Sequence, residues 1–147
     1  MTEGSDVAQF EQLTTLVVWR HRRRIGRALS ALGLTVPQFF ALMFLQEHGG
    51  RCTMGDLAEC TDQCSATMTG IVDRLVEMGI VTRERAPRDR RSVVVDLTTR
   101  GEELLQKAQT GRVERARQLL AHFTPEERQQ IHGYLVRYLA ALTEDAE

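Results

Sequence analysis

Apolar residues recur every three or four positions between residues 68 and 78, which predicts an amphipathic helix with one buried face. Its buried positions are Met68, Ile71, Val72, Leu75 and Met78. Gly79 follows and suits the left-handed residue that commonly ends a helix. Two short runs come next, residues 80–85 and 92–97, and the second is β-branched at its centre, as strands often are. A helix, a strand, a charged hairpin and a strand in this order are the layout of a winged helix-turn-helix, in which the helix enters the major groove of DNA.

Helical patterns also lie on both sides of this segment. A long one covers residues 6–32, and Thr35 is the expected N-cap of a second helix that is apolar on all sides. Residues 55–60 are expected to form the first helix of the helix-turn-helix. After the second strand, Thr98 and Thr124 are the expected caps of two further helices. The pattern therefore predicts a mainly α fold with a small β-wing, the wing being the charged hairpin.

The predicted wing is rich in arginine. Between residues 83 and 91, five arginines stand against two acids, a local charge of +3. Phosphates are the usual partners of such a hairpin tip. An edge hairpin whose charges only prevent pairing between sheets is the alternative, but it accounts better for one or two charges than for five arginines. The arginines are Arg83, Arg85, Arg88, Arg90 and Arg91, and the acids are Glu84 and Asp89.

The motif D-x-R-x-x-x-V-x-L-T-x-x-G over residues 89–101 resembles the wing signature of the MarR (multiple antibiotic resistance regulator) family. The triplets at 73–75 (DRL) and 79–81 (GIV) precede it at the spacing of that family, and 57–59 (LAE) also matches. The resemblance covers essentially the whole chain. It implies a dimeric transcription regulator, in most cases a repressor, that binds a palindromic operator and releases it on meeting a small aromatic or anionic ligand.

The resemblance also implies how the chain is organised. In the family, the first helix and the last two interleave with a second copy, which gives a two-fold homodimer. We therefore expect a single domain over residues 1–147, with a winged helix DNA-binding part at residues 35–101. The helical dimerisation part is expected at residues 6–32 and 102–143.

The exposed face of the predicted reading helix carries small polar residues. Their hydroxyls can donate or accept hydrogen bonds, and an alanine can contact a thymine methyl, but none forms a bidentate bond to a base. Much of the specificity is therefore expected from DNA shape and from the wing. The expected DNA-contacting residues of this helix are Ser65, Ala66, Thr67, Thr69 and Gly70, with Arg74 placed for a phosphate.

In the wing, the family pattern assigns Arg91 to the minor groove of DNA, with Asp89 as the salt-bridge partner that orients it. A narrow A·T-rich groove concentrates negative potential and suits one inserted guanidinium. Arg90 is the competing candidate for this position. Arg85 and Arg88 are expected to contact the DNA backbone.

Aromatic and methionine side chains are concentrated where the first two helices are expected to meet, beside a basic block at residues 20–27. This combination suits a phenolic or carboxylate effector. The alternative is ordinary core beside a solvated basic face. The candidate lining residues are Trp19, His21, Phe39, Phe40, Met43 and Phe44.

Cys64 stands at the expected N-cap of the reading helix, where the family usually has serine, and Cys60 lies four residues earlier. A helix N-terminus favours the thiolate, so thiol-based redox sensing through these cysteines is an alternative mode of control. The plainer interpretation is a small buried residue at 60 and a substitute cap at 64. A zinc site of His48, Cys52, Cys60 and Cys64 matches no familiar ligand spacing, so we expect no metal and no other cofactor.

Composition limits the remaining classes. The net charge of −1 means that any DNA affinity comes from uneven charge distribution. No apolar run reaches the ~18 residues of a membrane span, no secretion signal is evident, and three cysteines form no disulfide framework, so we expect a cytoplasmic protein. The four histidines are scattered, and no nucleophile, base and orienting group can be nominated together, so no enzyme is expected. A winged helix used for protein contact would leave the arginine-rich wing unexplained.

Overall fold

The computed structural model describes residues 3–89 and 91–144 of the chain, so Arg90 of the wing lies outside the described residues. The described residues form six helices and three strands, which confirms the mainly α fold with a small β-wing. In chain order these are α1 (Glu3–Ser30), α2 (Val36–Glu47), β1 (Arg51–Thr53), α3 (Met54–Cys60), α4 (Ser65–Glu77), β2 (Val81–Arg85), β3 (Val93–Leu97), α5 (Thr99–Leu120) and α6 (Pro125–Glu144).

The chain divides into two compact units, Met1–Thr110 and Gly111–Glu147, with the boundary inside α5. The first unit contains the sheet and the hydrophobic core of the described residues. The second contains the remainder of α5 and α6. The expected single domain over residues 1–147 stays a prediction.

The capping residues begin the helices where the sequence predicts. The Thr35 hydroxyl accepts a hydrogen bond from Gln38 N at 3.4 Å, and Gln38 Oε1 accepts one from Thr35 N at 2.8 Å. Thr124 and Glu127 form the same reciprocal pair at the start of α6, with distances of 2.8 and 3.2 Å. These bonds satisfy backbone donors that a helix leaves unpaired in its first turn. Helix α1 ends at Ser30, two residues before the predicted end, because Gly33 takes a left-handed φ of 75° and closes the turn.

The three strands form one antiparallel sheet in the order β1-β3-β2. Strands β2 and β3 are the predicted arms of the wing, and Val81 pairs with Leu97 at their base. The sequence did not predict β1, which pairs Cys52 with Val95 on the other edge of β3. A strand of three residues carries too few positions to show an alternating pattern.

The hydrophobic core lies between α2, α4 and the sheet. Met68, Val72 and Leu75 of the predicted stripe on α4 are fully buried, whereas Ile71 and Met78 pack against them at its edge. They meet a buried row on α2, formed by Phe39, Leu42 and Leu45. Full burial of one such side chain contributes about 1.5–3 kcal/mol, so this contact fixes the orientation of α4.

Large apolar side chains remain exposed on the terminal helices. On α1 they include Phe10, Leu13 and Val17, which are 57, 54 and 64% exposed. On α6, Leu135 and Leu139 are 60 and 65% exposed. None of the described helices is long and apolar enough to cross a membrane.

Candidate nucleic-acid interface

Helix α4 presents the predicted reading face to solvent. The buried stripe turns its opposite side outward, and each predicted DNA-contacting residue of this helix is exposed: Ser65, Ala66, Thr67, Thr69, Gly70 and Arg74. The Thr69 hydroxyl donates to the Ser65 carbonyl at 2.8 Å, so its lone pairs point outward as acceptors. At Gly70 an added Cβ would have no neighbour within 4 Å, so the surface there is flat and open.

Arg74 forms an ion pair with Glu77 one turn further along α4, with 3.2 Å between Nη1 and Oε2. The two side chains are 73 and 65% exposed. An exposed pair of this kind contributes only about 0–1 kcal/mol, so a phosphate can compete for the guanidinium. The location of Arg74 is therefore compatible with its predicted phosphate contact.

The wing tip is shaped by Asp89. Its Oδ1 accepts a hydrogen bond from the backbone N–H of Arg91 at 3.0 Å, and its carbonyl accepts one from Ser92 N at 3.0 Å. An aspartate bonded to the backbone two residues later stabilises a tight turn. Asp89 thus acts on the backbone of Arg91, whereas the sequence suggested a bond to its guanidinium. Arg85, Arg88 and Arg91 are exposed along the hairpin.

Three ion pairs among the described residues, formed by two arginines, connect the wing strands to α4 and β1, and the sequence predicted none of them. Arg83 of β2 bonds through Nη1 to the Asp73 carboxylate of α4. Arg51 of β1 pairs with two carboxylates: its Nη2 lies 2.8 Å from Glu84 Oε1, and its Nη1 lies 2.8 Å from Asp96 Oδ1. These two carboxylates, Glu84 first, raise the pKa of the Arg51 guanidinium. With Glu84 paired in this way, the outward charge of the wing is dominated by its exposed arginines.

A cleft of about 560 Å³ separates the reading helix from the wing. Thr69 of α4 lines it on one side, and Arg83, Asp89 and Arg91 line it on the other. The exposed helix face and the arginine-bearing hairpin therefore border one surface. Of the predicted DNA-contacting residues, the fold brings Thr69 of the helix and Asp89 and Arg91 of the wing together there.

A second cavity, of about 740 Å³, lies between α1, α2 and the turn that precedes α4. Four of the predicted effector-binding residues line it: His21, Phe40, Met43 and Phe44. Arg22 and Glu47 also line it, together with residues 60–63 of the turn. Its walls are thus aromatic and apolar, with charged side chains of both signs around them.

Trp19 and Phe39 do not line this cavity, which corrects the sequence-based set. Each lies about 100° around its helix from the stripe that faces the cavity, because successive helical residues rotate by that angle. Phe39 is 1% exposed and belongs to the core. Trp19 is 55% exposed, and the Arg23 guanidinium lies 5.4 Å from its ring centre.

The three cysteines are unpaired thiols in different environments. Cys64 is the N-cap of α4, but its side chain forms no capping hydrogen bond with the backbone. Its Sγ lies 3.1 Å from the hydroxyl oxygen of Thr67. That hydroxyl, with smaller contributions from nearby backbone N–H groups, lowers the pKa of Cys64. Desolvation in β1, more than the nearby Asp56 carboxylate, raises the pKa of Cys52 to about 11. Cys60 is exposed and lines the cavity beside α1 and α2.

The zinc alternative finds no support in the geometry. Among residues 3–89 and 91–144, no three His, Cys, Asp or Glu side chains come close enough together to hold a metal ion. His48 stacks on Phe44 with 3.9 Å between ring centres, and its Nδ1 lies 2.9 Å from the Phe44 carbonyl oxygen. These contacts hold the His48 ring against the C-terminal end of α2.

Comparison with known proteins gives one consistent result. Residues 32–92 match the sequence profile of the MarR family. The chain is 35% identical over 99 residues to the HTH-type transcriptional regulator YsmB of Bacillus subtilis, a match that covers 67% of each chain. It is 38% identical over 80 residues to the organic hydroperoxide resistance transcriptional regulator of the same organism, covering 54% of each. The structure of a MarR family protein from Bacillus stearothermophilus superposes with a TM-score of 0.86 at 26% identity, over 97% of this chain and 99% of that one.

Proposed function

This chain belongs to the MarR family of transcription regulators, and we propose that it acts as a homodimeric repressor of a palindromic DNA operator. The observation that carries the proposal is the cleft that Thr69, on the exposed face of α4, lines together with Arg83 and Arg91 of the wing. Its curated relatives are named as transcription regulators. This supports DNA, rather than a second protein, as the partner of the winged helix.

The reading helix and the wing would contact different grooves of the DNA. Ser65, Ala66, Thr67 and Thr69 would contact base edges in the major groove, and Gly70 would let the helix approach the DNA closely. Arg91 would enter the minor groove from a tip shaped by Asp89, with Arg90 as the competing candidate. The remaining exposed arginines would bind phosphates: Arg74, Arg85 and Arg88.

A second copy of the chain is the expected partner of the terminal helices. Rows of large exposed apolar side chains, such as those on α1 and on α6, often mark contact surfaces. An isologous contact between two copies would cover the apolar faces of α1 and α6 and place two reading helices on one face. Operator palindromy follows from that symmetry.

The cavity between α1 and α2 is the proposed effector site. Its volume of about 740 Å³ lies in the range of small-molecule sites, roughly 300–1,000 Å³. Phe40, Met43 and Phe44 offer apolar contact to an aromatic ring, while His21 and Arg22 offer donors to a carboxylate or phenolate. An occupant would touch Asp62 and Gln63, in the turn that leads to the N-cap of the reading helix, and so bias the position of α4.

Thiol oxidation is a second candidate mode of control, favoured by the environment of Cys64. This thiol is exposed, its pKa is lowered, and it caps the helix that would enter the groove. With an organic hydroperoxide, its thiolate would attack the peroxide and break the O–O bond. The sulfur is thereby oxidised to a sulfenic acid and the peroxide is reduced to an alcohol. The relative named for organic hydroperoxide resistance supports testing this class of oxidant.

The test begins with a duplex enriched from a random DNA library by the full-length protein. Fluorescence anisotropy should give tight, salt-sensitive binding of two protomers per enriched duplex, and much weaker binding to a scrambled duplex. Aromatic carboxylates and an organic hydroperoxide are then added separately. Release by the carboxylates supports the cavity, and release by the hydroperoxide alone supports the thiol. Enrichment of no sequence at all would contradict the operator proposal.

A further inference from the structure

We infer that the ion pair between Asp73 of α4 and Arg83 of β2 sets the sequence specificity of DNA binding. The pair holds the wing in position against the reading helix and keeps the Arg83 guanidinium off the phosphates. The inference rests on the proposed operator binding and names two positioning residues for it. Neither residue belongs to the predicted set of base or phosphate contacts.

The pair lies between the two surfaces that would touch DNA. Asp73 follows Thr69 by four residues and so shares its face of α4. Arg83 lines the cleft that Thr69 and Arg91 also line. An ion pair at this place determines how far the wing lies from the reading helix.

The hairpin has other attachments, but they act at its base or on its other face. Val81 is buried and pairs with Leu97 at the start of the hairpin. Arg83 points to the same face as Val81, because side chains two residues apart share a face of a strand. Glu84 points to the opposite face and pairs with Arg51. Among the ion pairs of the described residues, the one between Asp73 and Arg83 is therefore the link from α4 to the part of the hairpin beyond its base.

The pair also limits the positive charge that Arg83 can offer to the DNA phosphates. Sequence-independent affinity for DNA rises with each arginine that binds a phosphate. Asp73 occupies a guanidinium that lines the cleft, and this pair is less exposed than the Arg74–Glu77 pair, so Arg83 adds less to that affinity while the pair is intact. The carboxylate in turn is shielded from the phosphates. The two side chains are 47 and 39% exposed, so the pair contributes little to folding and its effect on binding can be measured separately.

The experiment compares Asp73→Asn with Glu77→Gln. Both changes remove one negative charge from α4 and release one arginine, Arg83 in the first case and Arg74 in the second. Dissociation constants are measured for the enriched and the scrambled duplex over a series of salt concentrations. For Asp73→Asn we expect affinity for the scrambled duplex to rise about fivefold or more, with a salt slope steeper by about 0.9 per subunit.

The decisive quantity is the ratio of the two affinities. It should fall several-fold in Asp73→Asn and stay at the wild-type value in Glu77→Gln, which strengthens both complexes equally. In the double variant Asp73→Asn/Arg83→Gln, the gain on scrambled DNA should disappear while the ratio stays low, because the wing remains untethered.

An unchanged ratio in Asp73→Asn would overturn the inference. Parallel weakening on both duplexes with a lower unfolding temperature would also overturn it, because the pair would then serve folding alone. If the wild-type protein binds the two duplexes equally well, the operator proposal is wrong and this inference, which depends on it, is wrong too. The wild-type titrations show this before any variant is made.

Discussion

The carbonyl oxygen of Ile80 lies against Gly101, so closely that a Cβ on residue 101 would overlap it. The same Cβ would lie 2.7 Å from the Cδ1 methyl of Leu97. Thr98 closes the arrangement: its hydroxyl lies 2.9 Å from the Ile80 carbonyl oxygen and accepts a bond from Gly101 N at 3.1 Å. The T-x-x-G end of the wing signature therefore joins the start of α5 to the start of β2, and glycine is required there by close packing rather than by its φ.

Gly101→Ala and Gly70→Ala should have opposite effects on stability. Alanine normally stabilises a helix interior by about 1 kcal/mol relative to glycine, and at the open position 70 we expect about 0.5–1 kcal/mol of that gain. At position 101 overpacking should destabilise the protein by about 1–3 kcal/mol instead. Urea unfolding of the two variants measures both free energies. A stabilised Gly101→Ala variant would contradict the close approach to Ile80.

The sequence predicts those parts of the fold that depend on local patterns. The stripe through Met68 and Leu75 and the cap at Thr35 are read correctly because spacing and capping chemistry act within a few residues. The Arg51–Glu84 contact was missed because it joins strands that only the sheet brings together. Phe39 was assigned to the effector cavity because its helix is apolar on all sides, and composition alone does not show which side faces α1.

Arg91→Ala should weaken operator binding by about 1–3 kcal/mol, the usual loss for one good nucleic-acid contact. If Arg91 enters the minor groove, the loss should be largest on operators with an A·T-rich segment beneath the wing. Arg85→Ala is the matched comparison, since a phosphate contact should weaken enriched and scrambled duplexes alike. Anisotropy titrations on both duplexes measure these losses. Unchanged operator affinity in Arg91→Ala would remove Arg91 from the groove and leave Arg90 as the candidate.

Leu139→Arg should abolish the proposed homodimer and leave a monomer. The Leu139 side chain is 65% exposed on α6, and a charge there would be buried without a partner if a second copy covers this face. Gln130→Arg is the control, because nine helical positions place residue 130 about half a turn around α6 from residue 139. Sedimentation equilibrium should show a monomer for the first variant and a dimer for the second. A dimeric Leu139→Arg protein would place the interface elsewhere.

Phe40→Ala should abolish the response to an aromatic effector, and Trp19→Ala should not. Phe40 lines the cavity between α1 and α2 and is 49% exposed, whereas the Trp19 ring lies outside it. Thermal shift of each variant with a panel of aromatic carboxylates measures binding without DNA. Equal shifts in the two variants would mean that the ligand binds outside the cavity.

The Cys64 thiol should react faster than the Cys52 thiol at neutral pH, because Thr67 lowers the pKa of Cys64 and desolvation raises that of Cys52. A lowered pKa keeps the Cys64 thiolate populated as pH falls, whereas a pKa of about 11 keeps Cys52 protonated until strongly alkaline pH. Timed alkylation with iodoacetamide, followed by mass spectrometry over a range of pH, gives a profile for each thiol. Thr67→Val removes the hydroxyl 3.1 Å from Sγ and should move the Cys64 profile to higher pH.

Thr69→Val provides the control for this shift, since its hydroxyl bonds to the Ser65 carbonyl and not to the thiol. Its Cys64 profile should match that of the wild-type protein. If the thiolate also controls the reading helix, an organic hydroperoxide should lower operator affinity of the wild type and leave Cys64→Ser unaffected, because serine can cap the helix but has no sulfur to oxidise. Thr67→Val should then need more peroxide or a higher pH for the same loss. Peroxide-insensitive binding by a wild-type protein whose Cys64 does alkylate quickly would separate the two properties and leave the thiol as a helix cap alone.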